Sequence, residues 1–564
     1  MLFERVELLR TLAVESGVLL TASALAYIAL RFLRPLRPPR CLSWLLANQW
    51  RSLVVVVFTA LVARALLLPF VGVPAPRVND EFGHLLTADT FSHYRLTNPT
   101  PACWEHFETF HVNIQPTYHS MYPVGQGLAL AFGQMLFHEP WIGVYLSTSL
   151  MCGAIFWTLR SFFPTGWALL GGFLAVLRFA LFSYWMNSYW GGSMAALGGA
   201  LALGAVVRLC EADRAGLSRA WMSCVFAVGL LILANSRPYE GLAYSLPLLG
   251  YLGYKLLKSG LTRRQMVAMI LPAFAIGAAG LTAMGVYNHA TTGDATLMPY
   301  TLNHRTYWPL PFFVGEKENP GARVDDPAFV KFFQSTAKTY DYNKTKSLPG
   351  MAGIESARII RNWFFYIGPA LTLPVVVGFI SSLKQPRLHV AVFAVAAISM
   401  ALAVCIYNIA HYFAPATIVV YVLAAEGLRY IWDTAHLGER AFVIAVCITV
   451  ALTSCMPKSV SNALYTRYDI VDGRKMVIRQ LESRPGRYLV LVSYDLARHY
   501  PGAELVHNGA EFSSEKILWA RSKGPGADAA LCAEYGDRTF VSVTTDDAEL
   551  SLQPLNMCGN RRSQ

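Results

Sequence analysis

Residues 52–89 decide how this chain folds: Ser52-Leu-Val-Val-Val-Val-Phe-Thr-Ala-Leu-Val-Ala-Arg64-Ala-Leu-Leu-Leu-Pro-Phe-Val-Gly72, then Val73-Pro-Ala-Pro-Arg77-Val-Asn-Asp80-Glu81-Phe-Gly-His84-Leu-Leu-Thr-Ala-Asp89. In the first part Arg64 is the single charge. As a helix, an apolar run of that length reaches roughly 30 Å, the thickness of the hydrocarbon core of a bilayer. The second part turns polar at once and places two adjacent carboxylates just beyond the run. The stretch therefore reads as a membrane-crossing helix that delivers Asp80 and Glu81 to one membrane face.

Runs of the same kind recur on both sides of it, near 11–30, 141–159, 167–184, 190–208, 220–236 and 241–257, and again near 266–286, 362–382, 390–408, 412–429 and 441–456. That predicts a polytopic α-helical membrane protein of about twelve (12–13) transmembrane helices. The segment 123–137 is short and carries Gln126 and Gln134, so it reads as a re-entrant or interfacial helix; if it crosses, it is a thirteenth span. Composition agrees: 54% of the 564 residues are hydrophobic and 15% are charged, where a soluble protein carries about a quarter charged.

The net charge of +12 does not point to nucleic acid, because many of the basic residues sit in short loops between apolar runs. Arg31, Arg34, Arg37, Arg40 and Arg51 surround no acid, and neither do Lys255, Lys258, Arg263 and Arg264. Such loops stay cytoplasmic. Lys384 with Arg387, and Arg429 with Arg440, mark two further turns on that side. Alternation then puts 72–140, the 235–240 turn, 287–358 and everything after about 457 on the other side. The chain divides into a membrane module, 1–456, with outside loops 72–140 and 287–358, and a non-cytoplasmic α/β domain, 457–564. In that domain 488–494, 504–507, 516–520 and 539–544 read as strands, with a helical stretch near 527–535. Cys532 and Cys558 lie in the same region and form a candidate disulfide if it lies outside the cytoplasm.

Between 72 and 122 there are five acids and two basic residues, together with histidines and aromatics. Most acidic pairs in loops are only surface charge; this one stands at a membrane face, in a loop rich in His and aromatics. Asp80-Glu81, after an outward-going span, resembles the Asp-Glu motif of GT-C glycosyltransferases, a class that includes protein O-mannosyltransferases and the aminoarabinose transferases of lipid A. Tyr122-Pro123 followed by Gly-rich apolar sequence, and His411-Tyr412-Phe-Ala-Pro415 at the start of a late span, resemble two further segments of that class. The match departs from the pattern in two places: the apolar run at 11–30 precedes the motif's own span, and His411 stands where Arg is more usual.

The resemblance implies an inverting transfer of a sugar from a polyprenyl-phosphate donor to a glycan, lipid or protein acceptor. Asp80 is then the general base, and Glu81 positions the acceptor or tunes Asp80. His84, Asp89, Tyr122, Arg237, Glu240, Arg305, His411 and Tyr412 are expected to bind substrate, with Arg237 and Arg305 suited to the donor phosphate. Pairing with Glu240 or snorkelling to headgroups would account for Arg237 equally well. The sequence makes no cofactor certain; the resemblance leaves a divalent cation open, and Glu105, His106, Glu108 and His111 offer ligand types without a standard zinc spacing. Trp185 and its neighbours up to Gly192 read as an interfacial aromatic belt or a substrate platform. The expected location is a bacterial inner membrane, with the site facing the periplasm or exterior. Two alternatives stay open: a lipid or solute transporter or flippase, kept alive by Arg64 and Arg178 within apolar runs, and a polysaccharide ligase or polymerase.

Overall fold

In the computed structural model, residues 2–32, 40–211, 216–434, 436–454, 469–495, 504–546, 549–555 and 557–558 are described. The chain forms two compact units, each built from three stretches: Met1–Pro74, Val144–Leu281 and Ser347–Ala463 in the first, Ala75–Gly143, Thr282–Lys346 and Leu464–Gln564 in the second.

The first unit is helical. Across the described residues, six helices are long and apolar enough to cross a membrane: Leu9–Phe32, Gln49–Val71, Trp141–Leu159, Arg263–Thr292, Ala410–Asp433 and Leu437–Ser454. Their surfaces fit that reading: Val54, Phe58, Leu66, Leu271 and Phe274 are exposed apolar side chains that only lipid would cover. The chain is an integral membrane protein. Other apolar helices, Thr165–Phe179, Ser193–Leu209, Ser218–Ala234 and His389–Ala403, are shorter.

The span expected over 362–382 is corrected. It is two helices, Leu348–Tyr366 and Gly368–Ser382, bent by 100°. Gly368 sits at φ +64°, a conformation that side chains disfavour, and Pro369 opens the next helix. The freed carbonyls of Phe364 and Phe365 accept from the Arg178 guanidinium. Arg64 acts similarly, donating to the Gly72 carbonyl at 2.8 Å and to Asn187 Oδ1 at 3.0 Å. Both arginines thus close the backbone of helix ends. Trp185 is fully buried and stacks on Phe179 at 4.8 Å, so it belongs to the core and not to an interface belt.

In the second unit β1, Val112–Asn113, pairs antiparallel with β2, His119–Ser120, and a four-stranded sheet runs in the order β4-β3-β5-β6: β3 is Tyr488–Tyr494, β4 Ile517–Arg521, β5 Thr539–Asp546 and β6 Glu549–Pro554. β3 pairs in parallel with β4 and β5, and β6 returns antiparallel to β5. A central strand of this kind is covered on both faces, which is why Tyr488–Val492 reads as continuous apolar sequence. One face carries Leu489, Leu491 and Phe540 against Leu86, Phe107 and Tyr118 of the 72–140 segment. The other carries Val490, Val492 and Trp519 against Val477 and Leu481 of the Asp469–Glu482 helix. The expected strand at 504–507 is absent: Leu505 and Val506 are buried coil that packs on this second face. The 527–535 stretch is helical, as two single-turn helices, Pro525–Asp528 and Leu531–Glu534, and β6 escaped the sequence reading. Cys532 and Cys558 are disulfide-bonded.

Segment 123–137 is a helix, Val124–Phe137, of 14 residues. At 1.5 Å per residue it covers roughly 21 Å, too little to cross a bilayer unaided.

Candidate active site

The Asp-Glu pair lies in the first turn of the Asn79–Ser92 helix, and the helix gives its two carboxylates different tasks. Glu81 turns back along the chain. Its Oε2 accepts from the backbone N–H groups of Arg77 at 2.6 Å and Val78 at 3.0 Å, and the residue is fully buried. That is the acidic half of a capping box, satisfying donors that the helix start cannot satisfy itself. Asp80, one residue earlier, points away and keeps 26% of its side chain exposed.

Asp80 is held from one side only. Tyr122 Oη donates to its Oδ1 at 2.5 Å, and His111 Nδ1 lies 3.6 Å from its Oδ2. His111 Nδ1 is also 3.0 Å from Tyr122 Oη. With the proton on Nδ1, the three form a directed chain: His111 donates to Tyr122, and Tyr122 donates to Asp80. Burial pushes the His111 imidazole below the usual histidine range, with Asp80 opposing, so the ring is neutral near pH 7. Its face is stacked with Trp308, centroids 5.9 Å apart. Tyr122 reaches Asp80 by lying across Gly83, where a Cβ would stand 3.0 Å from its ring. His84 stacks on the Tyr122 ring at 4.5 Å, so it supports the tyrosine.

Asp89 lies farther along the same helix and has a different role. It accepts from Gln134 Nε2 at 3.0 Å and from the backbone N–H of Ala510 at 2.6 Å, tying the helix to the C-terminal segment. Each of its two carboxylate oxygens accepts one of these bonds. Arg305 occupies the last turn of the Pro299–Tyr307 helix, exposed, with no partner for its guanidinium among the described residues.

The remaining candidates assemble in the first unit. His411 is buried, with Nδ1 3.1 Å from Tyr184 Oη and its ring edge-on to Trp190 at 4.6 Å. Tyr412 stacks beside it at 5.2 Å, and the Arg237 guanidinium lies 4.3 Å over the Tyr412 ring. Arg237 and Glu240 are 4.0 Å apart, which is the pairing weighed as the plain alternative for that arginine. Sequence reasoning missed Arg358 and Arg361, which donate to the carbonyls of Ile406 and Asn408 just before His411. Two arginines three apart on a helix entering a membrane span were the available signal. It also weighed His111 only as a metal ligand and passed over Trp308.

The four residues checked for metal binding go separate ways. His106 pairs with Asp528 at 3.2 Å, Glu108 with Arg323 at 3.3 Å, and His111 with Tyr122 and Asp80; Glu105 joins no such group. Among the described residues no three His, Cys, Asp or Glu side chains converge on one point.

No family model matches the sequence, and no curated protein is similar to it at a significant level. Solved structures are. ArnT from Cupriavidus metallidurans in the apo state aligns with a TM-score of 0.51 at 12% identity, over 90% of this chain and 94% of that one. The fold is the GT-C fold. ArnT bound to undecaprenyl phosphate aligns at 0.47 and 13% identity, over 90% and 93% of the two chains. The oligosaccharyltransferase of Archaeoglobus fulgidus, tethered with an acceptor peptide, aligns at 0.45 and 13% identity over 79% of this chain, which spans 62% of that protein's length.

Proposed function

We propose that this protein is an inverting glycosyltransferase that moves a sugar from a polyprenyl-phosphate donor to an acceptor hydroxyl on the non-cytoplasmic face, with Asp80 as the base. The observation that carries the reading is the division of labour in the Asp80-Glu81 pair: Glu81 is buried as a helix cap, while Asp80 is partly exposed and aimed by Tyr122.

In the proposed step the acceptor O–H gives its proton to the free oxygen of Asp80. The acceptor oxygen forms a bond to the anomeric carbon as the bond from that carbon to the phosphate oxygen breaks. The polyprenyl phosphate leaves with the electron pair, and attack from the opposite face inverts the centre. A phosphate leaving group needs no strong general acid, so one carboxylate suffices. The Tyr122 hydroxyl and neutral His111 keep Asp80 in one rotamer, and Glu81 fixes the turn that carries it. Exposed Arg305 suits the donor phosphate, as does Arg237, which Tyr412 and Glu240 hold in place. The reading invokes no cofactor. A topology of about twelve spans, with the Asp80 loop and the C-terminal region outside a bacterial inner membrane, is part of the proposal. The Cys532–Cys558 bond supports it, since disulfides persist in oxidising compartments. Arg64 and Arg178, the residues that suggested transport, donate to backbone carbonyls at helix ends.

The test is transfer from radiolabelled polyprenyl-phosphate sugars in reconstituted membranes, wild type beside Asp80→Asn. Transfer by the wild type that is lost in a folded Asp80→Asn protein supports the reading. Equal transfer by both moves the chemistry elsewhere, and solute or lipid flux with no transfer from any donor replaces the reading with transport.

A further inference from the structure

The first unit contains a cavity of about 580 Å³ whose lining includes Arg160, Phe163, Trp167, Arg387, Arg429 and Asp433. Arg160 and Phe163 lie in the connection after the Trp141–Leu159 helix, Trp167 in the first turn of Thr165–Phe179, Arg387 in the connection after Gly368–Ser382, and Arg429 and Asp433 in the end of the Thr417–Asp433 helix. The basic turns with Lys384, Arg387, Arg429 and Arg440 are those the charge pattern assigns to the cytoplasmic side.

The three arginines are not equivalent. Arg429 is neutralised: its Nη2 lies 2.9 Å from both oxygens of buried Glu426, and its Nη1 lies 3.4 Å from Asp433. Arg160 gives Nη1 to the Phe163 carbonyl, but its Nε is buried with no hydrogen-bond partner. Arg387 is exposed and has no partner among the described residues. Two guanidiniums therefore face this cavity without an opposing carboxylate of their own. Phe163 and Trp167 form an apolar wall beside them, and Trp167 is set edge-on to Trp432 at 6.3 Å.

Membrane orientation asks only for positive charge in a loop, and the 31–51 and 255–264 loops already supply it. It does not call for arginines from separate turns around one cavity, nor for a buried donor left unmade, which is costly. Guanidinium forks match phosphate oxygens, and basic pockets between membrane helices on the cytoplasmic side suit anionic headgroups. We propose that this cavity holds the phosphate of an anionic phospholipid headgroup, bridged by Arg160 and Arg387, with the glycerol backbone against Phe163 and Trp167. The site is independent of the transfer chemistry proposed for Asp80.

The experiment uses the full chain in nanodiscs of mixed phosphatidylglycerol and phosphatidylcholine, with retained lipid counted by native mass spectrometry. Wild type should keep phosphatidylglycerol in preference to phosphatidylcholine. Arg387→Gln should keep about fivefold less, the loss expected per basic residue at a charged lipid surface, and Arg160→Gln should do the same. Lys258→Gln removes a surface charge from another loop and should leave retention unchanged. Arg387 has no hydrogen-bond or ion-pair partner among the described residues, so an unchanged gel-filtration profile for its variant separates lipid loss from misfolding. Equal retention by Arg387→Gln and Lys258→Gln would overturn the proposal. Displacement of the lipid by millimolar inorganic phosphate would also overturn it, showing a site for free phosphate.

Discussion

Replacing Glu81 with alanine or with glutamine separates a capping role from a chemical one. In the structure its Oε2 takes two backbone N–H groups, at 2.6 and 3.0 Å, in a site without solvent. Hydrogen bonds to a charged group contribute about 1.5–3 kcal/mol each, and part of that is offset by the cost of burying a carboxylate. Glu81→Ala leaves both donors unmet and should destabilise the second unit by about 3 kcal/mol. Glu81→Gln keeps an acceptor oxygen at the same place, and glutamine is itself a capping-box residue, so it should lose only about half as much. The assay is the apparent melting midpoint in detergent, followed by intrinsic tryptophan fluorescence, with sugar transfer measured on the same samples. The expected order of midpoints is wild type, then Glu81→Gln, then Glu81→Ala, with Glu81→Gln retaining measurable transfer. A Glu81→Gln protein that melts like wild type yet transfers no sugar would refute the argument, because it would make the charge chemical and not structural.

Further expectations follow from the same geometry. Tyr122→Phe removes the donor to Asp80 Oδ1 and should lower transfer by about 10- to 100-fold, as loss of a positioning bond of about 1.4–2.8 kcal/mol would, while Asp80→Asn abolishes it with little change in melting. His119 is buried and its pKa is pushed down to about 4, chiefly by burial. A neutral buried histidine stabilises fully above its unfolded value near 6.5, and that contribution disappears as pH falls to about 4. The melting midpoint should therefore drop across that window, and His119→Gln should flatten the drop; an unchanged slope would count against it. Reducing Cys532–Cys558, which closes a loop of sequence separation 26, should cost about 3–4 kcal/mol by the loop-entropy relation. Melting with and without reductant checks this, and identical curves would show that the bond contributes nothing.

Asp80 stood out in the sequence because carboxylates next to an apolar run are rare and cannot be explained by burial. The roles of its neighbours were less visible. Asp89 looked like a second site carboxylate, yet its partner Ala510 lies far along the chain, and no local pattern reveals such a bond. His111 appeared only as one ligand type among several, since nothing in the spacing shows that Tyr122 would lie between it and Asp80. The break at Gly368 was hidden by uniform hydropathy: Arg178, distant in sequence, supplies the donors that let the helix end there.

By itself, the sequence determined the membrane class, the spread of apolar helices, the buried strand at 488–494 and the position of the Asp-Glu pair. Those are properties of local composition and period, which solvent and bilayer read directly. Only the tertiary structure decided that Glu81 caps while Asp80 faces out, that Asp89 braces, and that the 362–382 run bends. Each depends on where one buried polar group finds its partner, and in a low-dielectric interior an unmet group is costly enough to set the geometry.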